Sequence, residues 1–390
     1  MALSCADPSP RRAAPSSLDA GIPTALVGPV GTWTWVPVDG SECARGARAG
    51  LGVNFSRERE DLFIFLQGGG GCWNTGTCAP SLVQFGPVCE YGGACLLDIP
   101  GGTKPTATYV DERDPFPADG KGHFPSEVKL LSQMAALDRT AQDNPFRNAN
   151  FIYVPYCTGD VHSGASDWSY PVKPGLFEPV TYRTLHFSGA RNMDAYLARL
   201  KVTFPNAKRV WLTGSSAGGF GATLNFERIR AAFPGASVHL LNDSAPFLDN
   251  PLFSAWKDAW SMALPQDCPE CDAGFPHIYR KLVNAHPTSR FAFLGYDEDP
   301  VITWFMFHAP GAASLSAPPF EKYRTAMAAF TDLIDEKSTS KYHVLKEQSH
   351  VAWQHYGVVL ADGGTKRDRP AVKAFIDAWA LGTSDWGSVK

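Results

Sequence analysis

Short, continuous apolar runs that end in glycine- or aspartate-rich loops recur along this chain, and in its second half they alternate with longer amphipathic stretches. The runs are Asp61–Leu66, Asn150–Tyr156, Arg209–Leu212, Ser237–Leu241, Arg290–Leu294 and Tyr342–Leu345. Apolar runs without strict alternation read as strands covered on both faces. Helical periodicity appears from about Ser188 to Phe204, near 253 to 262 and 276 to 285, from Phe320 to Asp335 and from Arg369 to Ala380. Upstream, Thr32–Val36 and Gly50–Phe55 read as a hairpin joined through Gly40, Cys43 and Gly46. Strands alternating with helices predict an α/β fold: a mostly parallel central sheet with helices on both faces. The segment from Thr75 to about Pro145 is loop-rich, with one helical stretch from Ser126 to Leu137, and so long an irregular segment reads as a functional insertion. Residues 1–28 are rich in Pro, Ser, Ala and Arg and read as a flexible head, which leaves 29–390 as a single α/β domain.

The run ending at Leu212 leads into GSSAG at 214–218, and Ala217 onward reads as a helix. In that strand-turn-helix setting G-x-S-x-G is a nucleophile elbow. Centring the pattern on Ser216 places Gly214 and Gly218 two residues either side, whereas centring it on Ser215 would need glycines where Thr213 and Ala217 stand. Ser216 is therefore the candidate nucleophile. The four glycines Gly68–Gly71, directly after an apolar run, suit the close backbone approach of an oxyanion loop. Gly70, Gly71 and Ala217 are the candidate N–H donors. A phosphate-binding loop is excluded, because no G-K-[ST] follows.

Reactive groups in such a sheet collect beyond the carboxyl ends of the strands. Asp297 lies about three residues past one run and His350 about five past the last, which gives the order Ser216, Asp297, His350 of α/β-hydrolases. His350 would act as general base, with Asp297 fixing its tautomer. His239 and His343 lie within strands, and His277 and His286 at helix ends, so each reads as a packed or surface residue. His162 is the rival base, since its loop opens toward the same end of the sheet. Glu298, Asp299 and Asp243 compete with Asp297. Trp73, Asp160, His162 and Asp243 are candidate substrate contacts on these loops.

The charge balance narrows the partners. Thirty-five Lys and Arg against 39 Asp and Glu leave a net charge of −4 with no long basic block, so neither nucleic acid nor an anionic membrane is implied. No run approaches the ~20 apolar residues of a membrane span. The nine cysteines sit mostly as close pairs in loops, which reads as disulfides formed in an oxidising compartment. Cys268-x-x-Cys271 has zinc-ligand spacing, but no second pair or nearby histidine pair completes a site. An odd count leaves Cys5 as the leftover, and a lipidation site if a leader is trimmed before it. The first residues are too short and uncharged for a signal peptide, so an exported form would have lost its leader.

At these motifs the chain resembles the pectin acetylesterase/Notum family. Leu66–Cys78 (LQGGGGCWNTGTC) is similar to the family's L-E-G-G-G-x-C-x5-C segment. Further similar segments are PYCTGD at 155–160, GSSAGG at 214–219, DSAPFLDN at 243–250, Tyr296–Glu298 and Ser349-His350. The resemblance implies an α/β-hydrolase-like fold with long disulfide-bearing loop insertions, secretion, no metal or cofactor, a Cys72–Cys78 disulfide, and ester hydrolysis through a Ser-Asp-His triad. It also implies, as substrate, an O-acetyl or other short acyl ester on a polysaccharide; a monomer is the expected state, although the sequence does not encode it. Gln67 replaces the family's usual acid, and Gly71 stands where a bulky aromatic is common. Loss of that aromatic is expected to open the acyl pocket, with Trp73 compensating in part. The competing readings are a deacylase of lipid, lipidated-protein or polyester substrates, favoured by the many aromatics and the missing bulky residue near the oxyanion loop, and a catalytically inactive binding module, which the intact Ser216, Asp297 and His350 oppose.

Overall fold

In the computed structural model, residues 23–58, 60–74, 128, 131–172, 181–307, 319–359, 365–366 and 369–390 are described. The chain opens with an antiparallel pair, β1 (Trp33–Glu42) and β2 (Arg48–Asn54), followed by β3 (Asp61–Leu66) and β4 (Asn150–Val154). A hairpin of β5 (Ser166–Val172) and β6 (Thr181–Phe187) precedes helix α1 (Gly189–Thr203). Next come β7 (Arg209–Ser215), α2 (Ala217–Leu224), α3 (Phe226–Ala232) and β8 (Ser237–Asp243). Then follow α4 (Phe253–Trp260), α5 (Phe275–Ala285), β9 (Phe291–Glu298), α6 (Pro300–Phe307) and α7 (Phe320–Asp335). The last elements are β10 (Ser340–Gln348), a small pair of β11 (Val358–Val359) and β12 (Thr365–Lys366), and α8 (Pro370–Leu381).

Among the described residues, eight strands form one sheet in the order β1-β2-β4-β3-β7-β8-β9-β10. The pairings of β1 with β2 and of β2 with β4 are antiparallel; from β4 to β10 every pairing is parallel. Alternate side chains of each strand feed two cores. Leu62, Ile64, Val210, Leu212, Val238 and Leu240 pack on one face with α1, α5 and α7. Phe63, Phe65, Trp211, Leu241 and Leu294 pack on the other with α8 and the single turns at Ala135–Leu137 and Trp353–Tyr356. Helices therefore cover both faces, and this explains why the parallel strands read as unbroken apolar runs.

The β5–β6 hairpin and helices α3 and α6 are elements beyond those that the sequence pattern predicts. Helix α6 (PVITWFMF) is apolar all round, so it carries no amphipathic period. Its start signal was present all the same, an aspartate followed by proline at the first helical position. The segment assigned to the head already takes part in packing, since Leu26 is buried and its N–H donates to Thr203 Oγ1.

Disulfides join Cys43 to Cys157 and Cys268 to Cys271, and the second bond consumes the pair that had zinc spacing. Cys72 is disulfide-bonded, while Cys5, Cys78, Cys89 and Cys95 lie outside the described residues. No helix among the described residues is long and apolar enough to cross a membrane.

Candidate active site

The strand β7 places Ser216 one residue beyond its end, at φ 56° and ψ −125°. A side chain there is strained by roughly 1–3 kcal/mol, and such strain persists only where surrounding contacts over-determine it. The contacts are backbone to backbone. A methyl group on Gly214 would sit 2.2 Å from the Gly218 oxygen, and one on Gly218 would sit 2.0 Å from the Leu66 oxygen. The elbow glycines are thus required by the approach of β3, not by turn dihedrals alone.

The same approach puts the glycine run beside the serine. A methyl on Gly68 would lie 2.4 Å from the Ser215 oxygen and 3.1 Å from Ser216 Cβ. The run is pinned at both ends: Gln67 N–H donates to the Val154 carbonyl, and Cys72 N–H to that of Gly159. The Gln67 side chain accepts from Tyr156 N–H, and Trp260 Nε1–H donates to the Cys72 oxygen at 2.7 Å. Ala217, the first residue of α2, has an N–H with no intrahelical acceptor. Gly70, Gly71 and Ala217 therefore remain the candidate oxyanion donors.

His350 lies beyond β10, and its Nδ1 is 2.6 Å from Asp299 Oδ2. The carboxylate that meets His350 is that of Asp299, whereas the sequence points to Asp297. Strand β9 continues to Glu298, so Asp297 is still within the strand and Asp299 is the first residue past it. Asp299 is fully buried, and its Oδ1 accepts the N–H groups of Val301 and Ile302, capping α6. The carboxylate is fixed by the helix it caps, and the helix N-terminus favours its negative charge. Burial disfavours the His350 imidazolium, but the charge and hydrogen bond of Asp299, with the charge of Asp243, outweigh it and hold the pKa above the ordinary 6.5.

Three of the candidate substrate contacts turn inward. Asp160 is fully buried and accepts from Thr158 Oγ1 and the N–H groups of Gly164 and Gly189. His162 is buried with Nε2 2.9 Å from the Gln67 oxygen, and burial pushes its pKa down to about 4, which makes it a neutral support for the glycine loop rather than a rival base. Asp243 is fully buried; Oδ1 accepts from Ser244 Oγ and Ala352 N–H, and Oδ2 from Ser215 Oγ and Trp353 N–H. Its backbone oxygen accepts Ser216 N–H. Asp160 and His162 follow β4 and Asp243 ends β8, but each spends its polar atoms on backbone groups and hydroxyls of the protein itself.

Trp73 is 9% exposed and packs on Trp256 and Phe305, at centroid distances of 5.4 and 6.4 Å. A methyl on Gly71 would meet the Gly159 oxygen and the Trp260 ring, both at 3.3 Å. The space beside Gly71 is filled by Trp260, so in that direction loss of the family's aromatic does not open a pocket. Away from this site Glu42, Asp167 and His186 each bring one ligand atom within 4.8 Å of the others, but Arg191, 2.8 Å from Asp167, already supplies the positive charge.

A strained serine beside backbone donors, with a histidine oriented by a buried carboxylate, is an arrangement able to carry out nucleophilic acyl transfer. Comparison with known proteins agrees with that chemistry. The family model described as Pectinacetylesterase matches residues 125–263, a span that includes Ser216 and Asp243 and stops short of Asp299 and His350. Palmitoleoyl-protein carboxylesterase NOTUM of Homo sapiens is 30% identical over 216 residues, covering 53% of this chain and 34% of that protein. The notum1 protein of Xenopus laevis is 34% identical over 122 residues, 29% of this chain and 22% of its own. The chain thus spans about a third or less of these relatives' length. The crystal structure of the Wnt deacylase Notum from Drosophila superposes with a TM-score of 0.56 at 16% identity, covering 90% of this chain and 93% of that one, and shares the fold.

Proposed function

This chain belongs to the pectinacetylesterase/Notum family, and from that premise we propose that it is a serine carboxylic-ester hydrolase. The observation that carries the reading is the Ser216 turn, held against the glycine run on one side and, through Asp243, against the His350 loop on the other. Since His350 Nδ1 is engaged by Asp299, Nε2 is the ring nitrogen left to serve the hydroxyl. Ser216 Oγ attacks the ester carbonyl as Nε2 takes its proton, and the N–H groups of Gly70, Gly71 and Ala217 hold the oxyanion. Collapse expels the alcohol with that proton and leaves acyl-Ser216. Water, deprotonated by the same nitrogen, then releases the carboxylic acid and restores the serine.

For substrate we favour an O-acetyl or other short acyl ester on a polysaccharide. Trp260 supports this choice, because it closes the space beside Gly71 where a longer chain would otherwise extend. The second reading, a deacylase of lipid-like esters, is supported by the half-buried Trp304 and Phe305 that continue the Trp73–Trp256 cluster and by the relatives whose names specify a palmitoleoyl-protein ester. The disulfides fit secretion or a place in the cell envelope. The groups of the proposed site come from one chain, consistent with a working monomer. Turnover of p-nitrophenyl acetate that disappears in folded Ser216→Ala supports the hydrolase; turnover retained in that variant removes Ser216 as nucleophile, and a wild-type protein inert on all chain lengths leaves the binding-module reading. A p-nitrophenyl ester series separates the substrates, with an optimum at two to four carbons expected and an optimum at eight or more favouring the lipid reading.

A further inference from the structure

Asp243 joins the two halves of the candidate site by contacts that no single loop could supply. Its four side-chain donors come from two places: Ser215 and Ser244 at the ends of β7 and β8, and Ala352 and Trp353 just past His350. The Ser216 N–H donates to its backbone oxygen at 2.8 Å. Val351 N–H in turn donates to Ser244 Oγ. Three residues held at positive φ without being glycine sit within this network: Ser216 at 56°, Ser244 at 56° and Val351 at 63°. For a β-branched valine that conformation is a true outlier. Strain at three linked points needs a common anchor, and the buried carboxylate is in contact with all three segments.

We propose that Asp243 is a positioning residue that locks the Ser216 turn and the His350 loop into one rigid unit, and that its negative charge, held by the N–H groups two and three residues past His350, favours the His350 imidazolium. This rests on the hydrolase reading above. Two of the four donors are backbone N–H groups, which cannot reverse, so the acceptor is specified as a carboxylate. The amide of an asparagine would set an NH2 against either Ala352 N–H or Trp353 N–H, although the serine hydroxyls could turn to accept. One end of the His350 loop would then be released. Other titratable or charged groups around this loop are Asp297, Glu298 with its partner Arg324 of α7, Tyr323 of α7, Tyr296 and His355, and Glu347 with Arg369. Of all these, Asp299 and Asp243 are the ones that stabilise the charged histidine against its burial.

The test is Asp243→Asn, read by p-nitrophenyl acetate kinetics and by NMR titration of the His350 ring. Displacing the base relative to the serine should lower kcat by about 10²-fold with KM little changed. Loss of the anion should move the His350 titration, and with it the acid limb of kcat/KM, to lower pH. A variant that folds and keeps both its kcat and its His350 titration overturns the proposal. If Asp243→Asn does not fold, Ser215→Ala/Ser244→Ala keeps the carboxylate and removes two donors. It should lose about tenfold in kcat without a lowered His350 titration, and unchanged kcat there overturns the locking role. Failure of the wild type to turn over any ester would remove the hydrolase reading, while the NMR comparison would still decide whether Asp243 acts on His350.

Discussion

Replacing Asp299 by asparagine should nearly abolish turnover, while the same change at Asp297, two residues away, should leave it within about threefold of wild type. The structure gives the reason. Asp299 divides its two oxygens, Oδ1 to the Val301 and Ile302 N–H groups and Oδ2 to His350 Nδ1 at 2.6 Å. Asparagine is as good a helix cap as aspartate, so its oxygen would keep the α6 contacts and the fold. Its NH2 would then face Nδ1, which must become an acceptor, and the proton moves to Nε2. A histidine with Nε2 protonated cannot take the serine proton, and this wrong-tautomer effect costs about 10⁴ in kcat, equivalent to roughly 5.4 kcal/mol of transition-state stabilisation. Asp297 lies inside β9 and makes no contact of this kind with His350 among the described residues. Single-turnover measurement with p-nitrophenyl acetate, alongside thermal melts to establish folding, would read the difference. Equal losses in the two variants, or a larger loss at Asp297, would refute the assignment of the acid.

The raised pKa of His350 sets two opposed pH dependences. The base must be neutral, so kcat/KM should fall as pH drops through a midpoint above 6.5, measurable across pH 5–9. Since the folded value exceeds the unfolded one, His350 contributes stability that is fully present below about 6.5. That contribution is lost as pH rises through the folded pKa, which urea titrations at several pH values would detect. His162→Gln should destabilise the protein by about 1–3 kcal/mol through loss of the buried contact to the Gln67 oxygen, yet leave the acid limb of the rate profile where it was. Gly218→Ala should prevent recovery of folded protein, because its Cβ would lie 2.0 Å from a backbone oxygen that β3 pairing holds in place. Removing the Cys43–Cys157 bond, whose cysteines are 114 residues apart, should cost up to about 5 kcal/mol by loop closure, against about 1–2 for Cys268–Cys271. Denaturant midpoints of the two double-serine variants would rank them.

Much of this molecule is legible in its sequence because the parallel strands are buried on both faces and the elbow must be built from glycine. Ser216, the glycine run and His350 follow from local rules and from position after strands. The carboxylate that meets His350 does not, since the apolar run stops at Leu294 while sheet pairing carries β9 on to Glu298 through polar residues. The Asp299-Pro300 pair was the available correction, marking a helix start and therefore the strand's end. Asp160, His162 and Asp243 sit at or beyond strand ends where the sequence points to substrate contacts, yet their side chains are buried. Which way a loop side chain turns depends on where the backbone N–H groups of distant loops fall, and no local pattern encodes that. The β5–β6 hairpin carried a weaker signal in the alternation of Trp168, Tyr170 and Val172, interrupted by a proline.

The strand order has a consequence for how the protein comes into being. Ser216 is synthesised in the middle of the chain, Asp299 later, and His350 only after β10, the sheet's last strand, which pairs with β9 and bridges to Val389. A nascent chain folded only through β9 would hold the serine turn and the glycine loop without the loop that braces Asp243, and without a histidine for the proton. Until the edge strand docks and Ala352 and Trp353 reach Asp243, the half-made molecule would lack its proposed general base, and the rise of hydrolysis would report the moment that the last strand joins the sheet.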